Sequence, residues 1–397
     1  MLFNTPELDE VDLEVIAEID RYRRDMRYAL REPRRWTGQL RRNLLAKAIQ
    51  GSNSIEGYDV TDEDAVAAVE EEEPSSASDA TWAEIRGYRT AMSYVLQLAD
   101  DPHFNLDQTL LRSLHYMMLS HDVSKSPGRY RAKSVYVVDE AKSEVVYEAP
   151  DSDLVPDLVI ELVKSIVSDD DVSSFVRAGM AHLNLVMIHP FRDGNGRMAR
   201  CLQTLILARD RIVAPEFSSI EEFLSRNTPD YYAILAAVGA GSWNPENDAK
   251  TWVKFILRAH HIQAQTVLGR LTEASYMWSE LELISKDKNL PDRMVPALYD
   301  AAIGLRLRRS SYIRLADVEE RTATRDLQAL VDTDLLVPRG ERRGRTYSAS
   351  DVLRRLRAEV RRYRPAIKDA YGGMGTLLDS QQPTQPRLPF DWKEASG

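Results

Sequence analysis

Twelve consecutive residues, His189-Pro190-Phe191-Arg192-Asp193-Gly194-Asn195-Gly196-Arg197-Met198-Ala199-Arg200, constrain this chain more than any other feature. Their flanks are helical in pattern. Phe175, Ala178, Gly179, His182, Leu185 and Val186 recur at helical spacing, and Met198, Cys201, Leu202, Leu205 and Ile206 resume that spacing. Pro190 disfavours helical geometry at His189, so the first helix, from Ser173 to Ile188, should end there. Asp193-Gly194-Asn195-Gly196 is turn chemistry, because Gly and Asn tolerate positive φ. The second helix should begin near Gly196. A glycine turn at a helix N-terminus offers successive backbone N–H groups to an anion, and phosphate is the natural occupant.

The side chains fit that reading. Arg197 and Arg200 stand three apart in the first turn, at the positive end of the helix dipole, where cations are unfavourable unless an anion joins them. Asp193 offers a hard oxygen to Mg²⁺, which usually takes one or two carboxylates plus substrate phosphates. His189 is the nearby side chain whose ordinary pKa suits a general base. Phe191 is expected to anchor the turn in the core. A lone His at a helix end, or a lone Gly-x-Gly, is usually structural. The combination at this spacing is far more specific.

The run resembles the signature of the Fic family, His-Pro-Phe-x-Asp/Glu-Gly-Asn-Gly-Arg-x-x-Arg, at every defined position. The resemblance implies a mainly α fold and transfer of AMP from ATP to a Ser, Thr or Tyr hydroxyl of a target protein. His189 would deprotonate the hydroxyl, and Asp193 would bind Mg²⁺ between the α- and β-phosphates. Gly194, Asn195 and Gly196 would line the anion hole. Arg197 would hold the β-phosphate region, and Arg200 would reach the γ-phosphate. Gly128-Arg129-Tyr130-Arg131, then Ser134, Val135, Tyr136, Val137 and Val138, then Val145-Val146-Tyr147, are similar to the family's flap. Two β-rich runs around the polar stretch 139–144 read as a hairpin, and the resemblance implies that it aligns a target segment by strand addition. The likeness extends over most of residues 1–265. Family members that remove AMP or transfer other groups leave the reaction more open than the fold.

Ser52-Asn53-Ser54-Ile55-Glu56-Gly57 matches the family's inhibitory pattern Ser/Thr-x-x-x-Glu-Gly/Asn, on the N-terminal side of the signature. The resemblance implies that Glu56 pairs with Arg200 and competes there with the γ-phosphate for one guanidinium fork. Taken alone, the residues read as a surface glutamate before a glycine C-cap at Gly57. In some members the same glutamate assists AMP removal.

Composition sets outer bounds. The 397 residues suffice for two or three domains, and the single cysteine, Cys201, excludes an intramolecular disulfide. The N-terminus lacks the basic start and apolar run of a signal peptide, and no stretch is apolar enough to cross a bilayer, so a cytoplasmic protein without a membrane partner is expected. Residues 9–50 read as helical. The run Glu70-Glu71-Glu72-Glu73-Pro74-Ser75-Ser76-Ala77-Ser78 reads as a loop whose charges repel. The expected divisions are a helical region with the inhibitory motif (1–78), a catalytic core (79–265), a helical connector (266–302), a C-terminal module (303–368) and a flexible tail (369–397). His182 and the pair His260-His261 are read as structural.

The C-terminal module reverses the sign of charge. Residues 303–368 hold seventeen Lys or Arg against nine Asp or Glu, in a chain of net charge −10. Such asymmetry suggests an anionic partner. A helix over 320–331, a strand at Leu335-Leu336-Val337, a basic turn from Pro338 to Arg345 and a return at Thr346-Tyr347 look like a winged helix-turn-helix. Thr322, Thr324 and Arg325 would be exposed on its recognition helix, and Arg339, Arg342, Arg343 and Arg345 would form the wing over DNA phosphates. Winged helices also bind proteins. The chain therefore reads first as a restrained AMP transferase acting on another protein or on itself, and the resemblance allows a homodimer. The alternatives are a DNA-binding regulator with a nucleotide-sensing core, and a Fic enzyme of altered reaction.

Overall fold

The computed structural model describes residues 1–31, 34–139, 144–168, 172–209, 213–341, 344–373 and 392–394. Two helices form the centre: α7 (Ser174–Ile188) and α8 (Asn195–Ala208). Both are buried nearly all round, α7 mostly through apolar side chains and α8 with Arg197, Arg200, Gln203 and Thr204 among its buried residues. Around them stand α1 (Glu10–Ala29), α2 (Thr37–Ile55), α3 (Asp62–Val69), α4 (Asp79–Asp100), α5 (Gln108–Leu119), α6 (Val155–Ser168), α9 (Glu221–Arg226), α10 (Thr228–Gly239) and the long α11 (Lys250–Asp287). Side-chain caps fix several starts: Asp9 with Asp12 forms a capping box on α1, Thr61 caps α3, Ser78 caps α4 and Asp107 caps α5.

The helical reading of 9–50 is corrected by a break. α1 stops at Ala29 and α2 starts at Thr37. Pro33 stands in that interval of sequence, and proline interrupts helices. α2 then packs so closely on α9 that a Cβ on Gly51 would meet the Glu221 carbonyl oxygen at 2.5 Å. The flap is an antiparallel pair, β1 (Tyr136–Asp139) and β2 (Glu144–Glu148), with a bulge between Val137 and Val138. Its turn, 140–143, lies outside the described residues.

The C-terminal module consists of α12 (Val295–Ile303), β3 (Leu307–Arg308), α13 (Arg309–Ala316), α14 (Glu320–Asp332), β4 (Leu336–Arg339), β5 (Thr346–Ala349) and α15 (Asp351–Arg361), with its sheet in the order β3-β5-β4. β6 (Trp392–Glu394) pairs antiparallel with β1. The module shares a core with the helices before it. α11 runs unbroken through 266, with Trp252 to Ala259 in one apolar core and Val267 to Leu281 in a second. The second core also takes Met26, Trp36, Leu40 and Leu44 from the N-terminal helices and Leu327, Leu330 and Leu353 from the module. The acidic run expected to repel itself is held by cations instead. Glu72 pairs with Arg314, Arg308 donates to the carbonyls of Glu73 and Pro74, and nearby Glu63 pairs with Arg306 at 3.3 Å. Asp369 pairs with Arg258 at 2.8 Å, and the Tyr371 hydroxyl donates to Asp12. Leu388-Pro389-Phe390-Asp391 lies outside the described residues.

Candidate active site

α7 ends where Pro190 dictates. His189 is the C-cap, with φ of 50°. That left-handed turn sets the imidazole, 8 % exposed, on the wall of a cavity of about 520 Å³. Its Nδ1 lies 3.3 Å from the Val186 carbonyl oxygen. A carbonyl only accepts, so in the neutral ring Nδ1 carries the proton and Nε2 is the basic nitrogen. The turn that follows is closed by Asn195, whose side chain accepts from the Phe191 N–H and donates to the Phe191 carbonyl. Asn195 therefore builds the cradle as well as lining it. Gly194 caps α8 with φ of 77°, and the first-turn N–H groups beyond it have no partner within the helix. Gly194, Asn195, Gly196 and Arg197 all line the cavity.

Two residues that the motif does not contain hold this turn. His115 on α5 stacks on Phe191 with ring centroids 3.8 Å apart. Its Nδ1 accepts from the Gly128 N–H, so Nε2–H donates to the Asp193 carbonyl at 2.9 Å. Burial pushes His115 down to about 4, so it is neutral near pH 7. Arg131, buried, donates Nε to the His189 carbonyl at 2.8 Å and reaches the Lys133, Ile188 and Pro150 carbonyls. It ties the root of the flap to the signature.

The carboxylate of Asp193 faces the same cavity. Its Oδ2 is 2.7 Å from Lys125 Nζ and 3.8 Å from Arg197 Nη2. Burial opposes its ionisation, but Arg197 and Lys125 outweigh that and hold its carboxyl below the usual value. Glu84 on α4 takes the other end of both cations, from Lys125 at 2.7 Å and from Arg197 Nη1. Although it is buried, Arg197 and Lys125 hold Glu84 down at about 2. Neither Lys125 nor Glu84 was legible, because they lie 72 and 113 residues before Arg197 in sequence with no motif around them. Among the described residues no set of three His, Cys, Asp or Glu side chains could hold a metal. A divalent cation at Asp193 would thus draw its other ligands from phosphate oxygens and water, the usual pattern for Mg²⁺. It would also take the place of the Lys125 ammonium.

Arg200 is buried against the C-terminal end of α2. Its Nε donates to Ser52 Oγ at 2.8 Å, and its Nη2 donates to the Ser52 carbonyl at 3.0 Å and to Glu56 Oε1 at 2.6 Å. Nη1 is buried with no acceptor. Glu56 is the C-cap of α2, and Gly57, with φ of 84°, turns the chain away. The approach needs Gly196. A Cβ there would meet Glu56 Oε1 at 2.7 Å and Arg200 Nη1 at 3.2 Å. Tyr232 secures the helix end by donating its hydroxyl to the Ile55 carbonyl at 3.0 Å.

Of the flap residues, Val137 is buried and lines the cavity. Ser134 and Val135 precede β1 rather than lie in it, although the Val135 carbonyl accepts from the Ala149 N–H at 3.2 Å. Tyr136 is exposed. The edge of β1 opposite β2 pairs with the chain's own β6. In the C-terminal module Thr324, Arg325 and Arg345 are exposed, whereas Thr322 is half-buried on the flank of α14 rather than exposed. Arg342 and Arg343 lie outside the described residues. His182 bridges Gln203 and Tyr231, His260 contacts Gln203, and burial pushes both imidazoles down to about 3. Cys201 is buried.

Fold and site together define a helical core with a glycine turn between α7 and α8, an imidazole on the wall of the adjoining cavity and a hairpin beside it. Comparison with known proteins finds likenesses over part of the chain. Residues 105–207 match the Fic/DOC family. Over 199 residues the chain is 26 % identical to protein adenylyltransferase fic-1 of Caenorhabditis elegans, covering 48 % of this chain and 35 % of that one. Over 255 residues it is 28 % identical to protein adenylyltransferase Fic of Nematostella vectensis, covering 64 % and 55 %. The chain thus spans between about a third and about half the length of these curated relatives. A solved Fic family protein from Desulfovibrio desulfuricans G20 shares the fold with a TM-score of 0.56 at 21 % identity, over 87 % of this chain and 98 % of that one. These likenesses give a mainly helical fold and a segment, 105–207, similar to the Fic/DOC family. No helix among the described residues is long and apolar enough to cross a membrane.

Proposed function

We propose that this protein transfers AMP from ATP to a Ser, Thr or Tyr hydroxyl of a protein, and that Glu56 restrains it. The observation that carries the reading is the Glu56–Arg200 pair inside the same cavity as His189 and the glycine turn. In the reaction, His189 Nε2 takes the hydroxyl proton as the oxygen attacks the α-phosphorus. The bond from that phosphorus to the bridging oxygen of the β-phosphate breaks, and pyrophosphate leaves. The first-turn N–H groups of α8 and the Arg197 guanidinium neutralise the phosphates, so the protein's work is positioning and charge stabilisation. Mg²⁺ held by Asp193 would supply further charge neutralisation. Arg200 would hold the γ-phosphate once Glu56 leaves it. The relatives named as adenylyltransferases support this chemistry.

The test is labelling with α-³²P-ATP and Mg²⁺, comparing wild type, Glu56→Gly and Glu56→Gly/His189→Ala. Label in Glu56→Gly, weak in wild type and absent from the double variant is the expected result. A labelled band at the enzyme's own mass would identify self-modification. No label in any variant despite ATP binding would overturn the reading in favour of a nucleotide sensor or another transferred group.

The exposed face of α14 supports a second role, for the C-terminal module. Arg308 and Arg314 are engaged by the acidic run and Arg306 by Glu63 of α3, but Thr324 and Arg325 face solvent, and the Arg325 side chain is 74 % exposed. We read the module as a winged helix that carries the enzyme to DNA. Salt-dependent binding to duplex DNA that weakens in Arg325→Ala is the expected result. Equal binding by the variant would remove α14 from that role.

A further inference from the structure

A second cavity, of about 290 Å³, lies between α2 and the C-terminal module and shares no lining residue with the first. Its floor is hydrocarbon, with Leu40 and Leu44 of α2, Ala65 of α3 and Met277 of α11. Its rim is basic, with six cations and two carboxylates. Most of those charges are answered. Arg270 makes a two-pronged contact with Glu222 at 2.6 Å, Lys47 meets Asp62 at 2.6 Å, and Arg361 and Arg364 share Glu273.

Arg357 on α15 differs. Among the described residues no carboxylate lies within ion-pair distance of it, and its Nε is buried with no hydrogen-bond partner. Burial, then the fields of Arg361 and Arg364, lower its pKa and outweigh the opposing fields of Glu273 and Asp62. The fold nevertheless makes room for it. Gly304 ends α12 with φ of 110°, and a Cβ there would come within 2.7 Å of Arg357 Nη1. A concavity with an apolar floor and one seated guanidinium that makes no ion-pair contact among the described residues is the form of a site for a small anionic molecule.

We propose that this cavity binds a small molecule with an anionic group, a carboxylate or a phosphate monoester, and a hydrocarbon body. The anion meets Arg357, and the hydrocarbon lies on Leu40, Leu44 and Met277. The same helix that floors this cavity carries Ser52 and, at its C-cap, Glu56, the residues on Arg200. Lys47 and Glu56 are nine residues apart on a rigid rod, about 14 Å. The cavity is formed in the arrangement that places Glu56 on Arg200, so a molecule that fills it stabilises that arrangement. The site is then a co-inhibitor site, and this regulatory half rests on the reading of Glu56 as a brake.

The probes are octanoate and n-octyl phosphate, with 1-octanol as the neutral control, titrated calorimetrically into the full chain. One anion at least should bind wild type with 1:1 stoichiometry, and the tighter of the two identifies the headgroup. Arg357→Gln, checked for folding by thermal melting, should weaken binding at least about tenfold, the loss expected for a charge-assisted contact. Binding of 1-octanol as tightly as the anions, equal binding by Arg357→Gln, or no anion binding would overturn the site. Hydrogen exchange over residues 50–58 reads α2 directly and does not depend on AMP transfer. It should slow when the probe binds wild type and stay unchanged in Arg357→Gln. Arg357-dependent binding without slowing would overturn the coupling while leaving the site in place.

Discussion

Replacing Glu56 with glycine should do two things at once. Glu56 Oε1 sits 2.6 Å from Arg200 Nη2, with the arginine side chain 1 % exposed and the glutamate 19 % exposed. In so enclosed a place the contact is a strong one, and a hydrogen bond to a charged group contributes about 1.5–3 kcal/mol. Removing it frees Arg200 for phosphate and should raise AMP transfer by about 10- to 150-fold, since each 1.4 kcal/mol is a factor of ten. The same change leaves a buried cation without its carboxylate, which in general costs about 3–5 kcal/mol. The two bonds to Ser52 remain, so the loss of stability should fall at or below the lower end of that range. ATP restores an anion to Arg200. The variant should therefore melt below wild type without nucleotide and recover more than wild type with it. Initial rates of α-³²P-ATP labelling and paired melting curves with and without ATP and Mg²⁺ measure both effects. A folded variant that labels no faster than wild type, and gains no more from ATP, would refute the argument from competition at Arg200.

Other outcomes follow from the same contacts. Glu84→Gln leaves buried Arg197 without its counter-charge and should cost about 3–5 kcal/mol in chemical denaturation; a loss under about 1 kcal/mol would show that Asp193 compensates. His115 has a folded pKa of about 4 against about 6.5 unfolded, so the stability from its neutral form is complete above about pH 6.5 and is lost as pH falls towards 4. His115→Gln should flatten that slope, and an unchanged slope would assign it to other groups. Truncation before residue 374 removes β6, so backbone exchange over 136–139 should quicken; no change would mean that β6 does not protect the edge of β1.

Much of the site was legible because its parts are local. Pro190 and the Gly-Asn-Gly turn fix where α7 stops and α8 starts, whatever surrounds them. The periodicity around them likewise gave a mainly helical class, with β character at 134–138 and 145–147 and helix, strand and turn in order through 320–347. Patterns of this kind arise from interactions within a few residues, which sequence spacing records directly.

What the sequence could not show depends on residues that meet only when the chain folds back on itself. Lys125 and Glu84 answer the charges of Asp193 and Arg197 from two other elements. His115 and Arg131 brace the turn by hydrogen bonds to its backbone, and backbone acceptors leave no mark on sequence. The second role of Gly196, as the gap through which Glu56 reaches Arg200, exists only because α2 lies against α8. How helices are shared between cores was hidden for the same reason. Hydrophobic periodicity shows that a helix buries one face, but not which core receives it. α11 and α2 each serve two cores. By itself the sequence determined the local chemistry of the cradle and the class of fold. Tertiary structure alone decided which charges answer one another and which helix links the two cavities, because those choices rest on packing between distant segments.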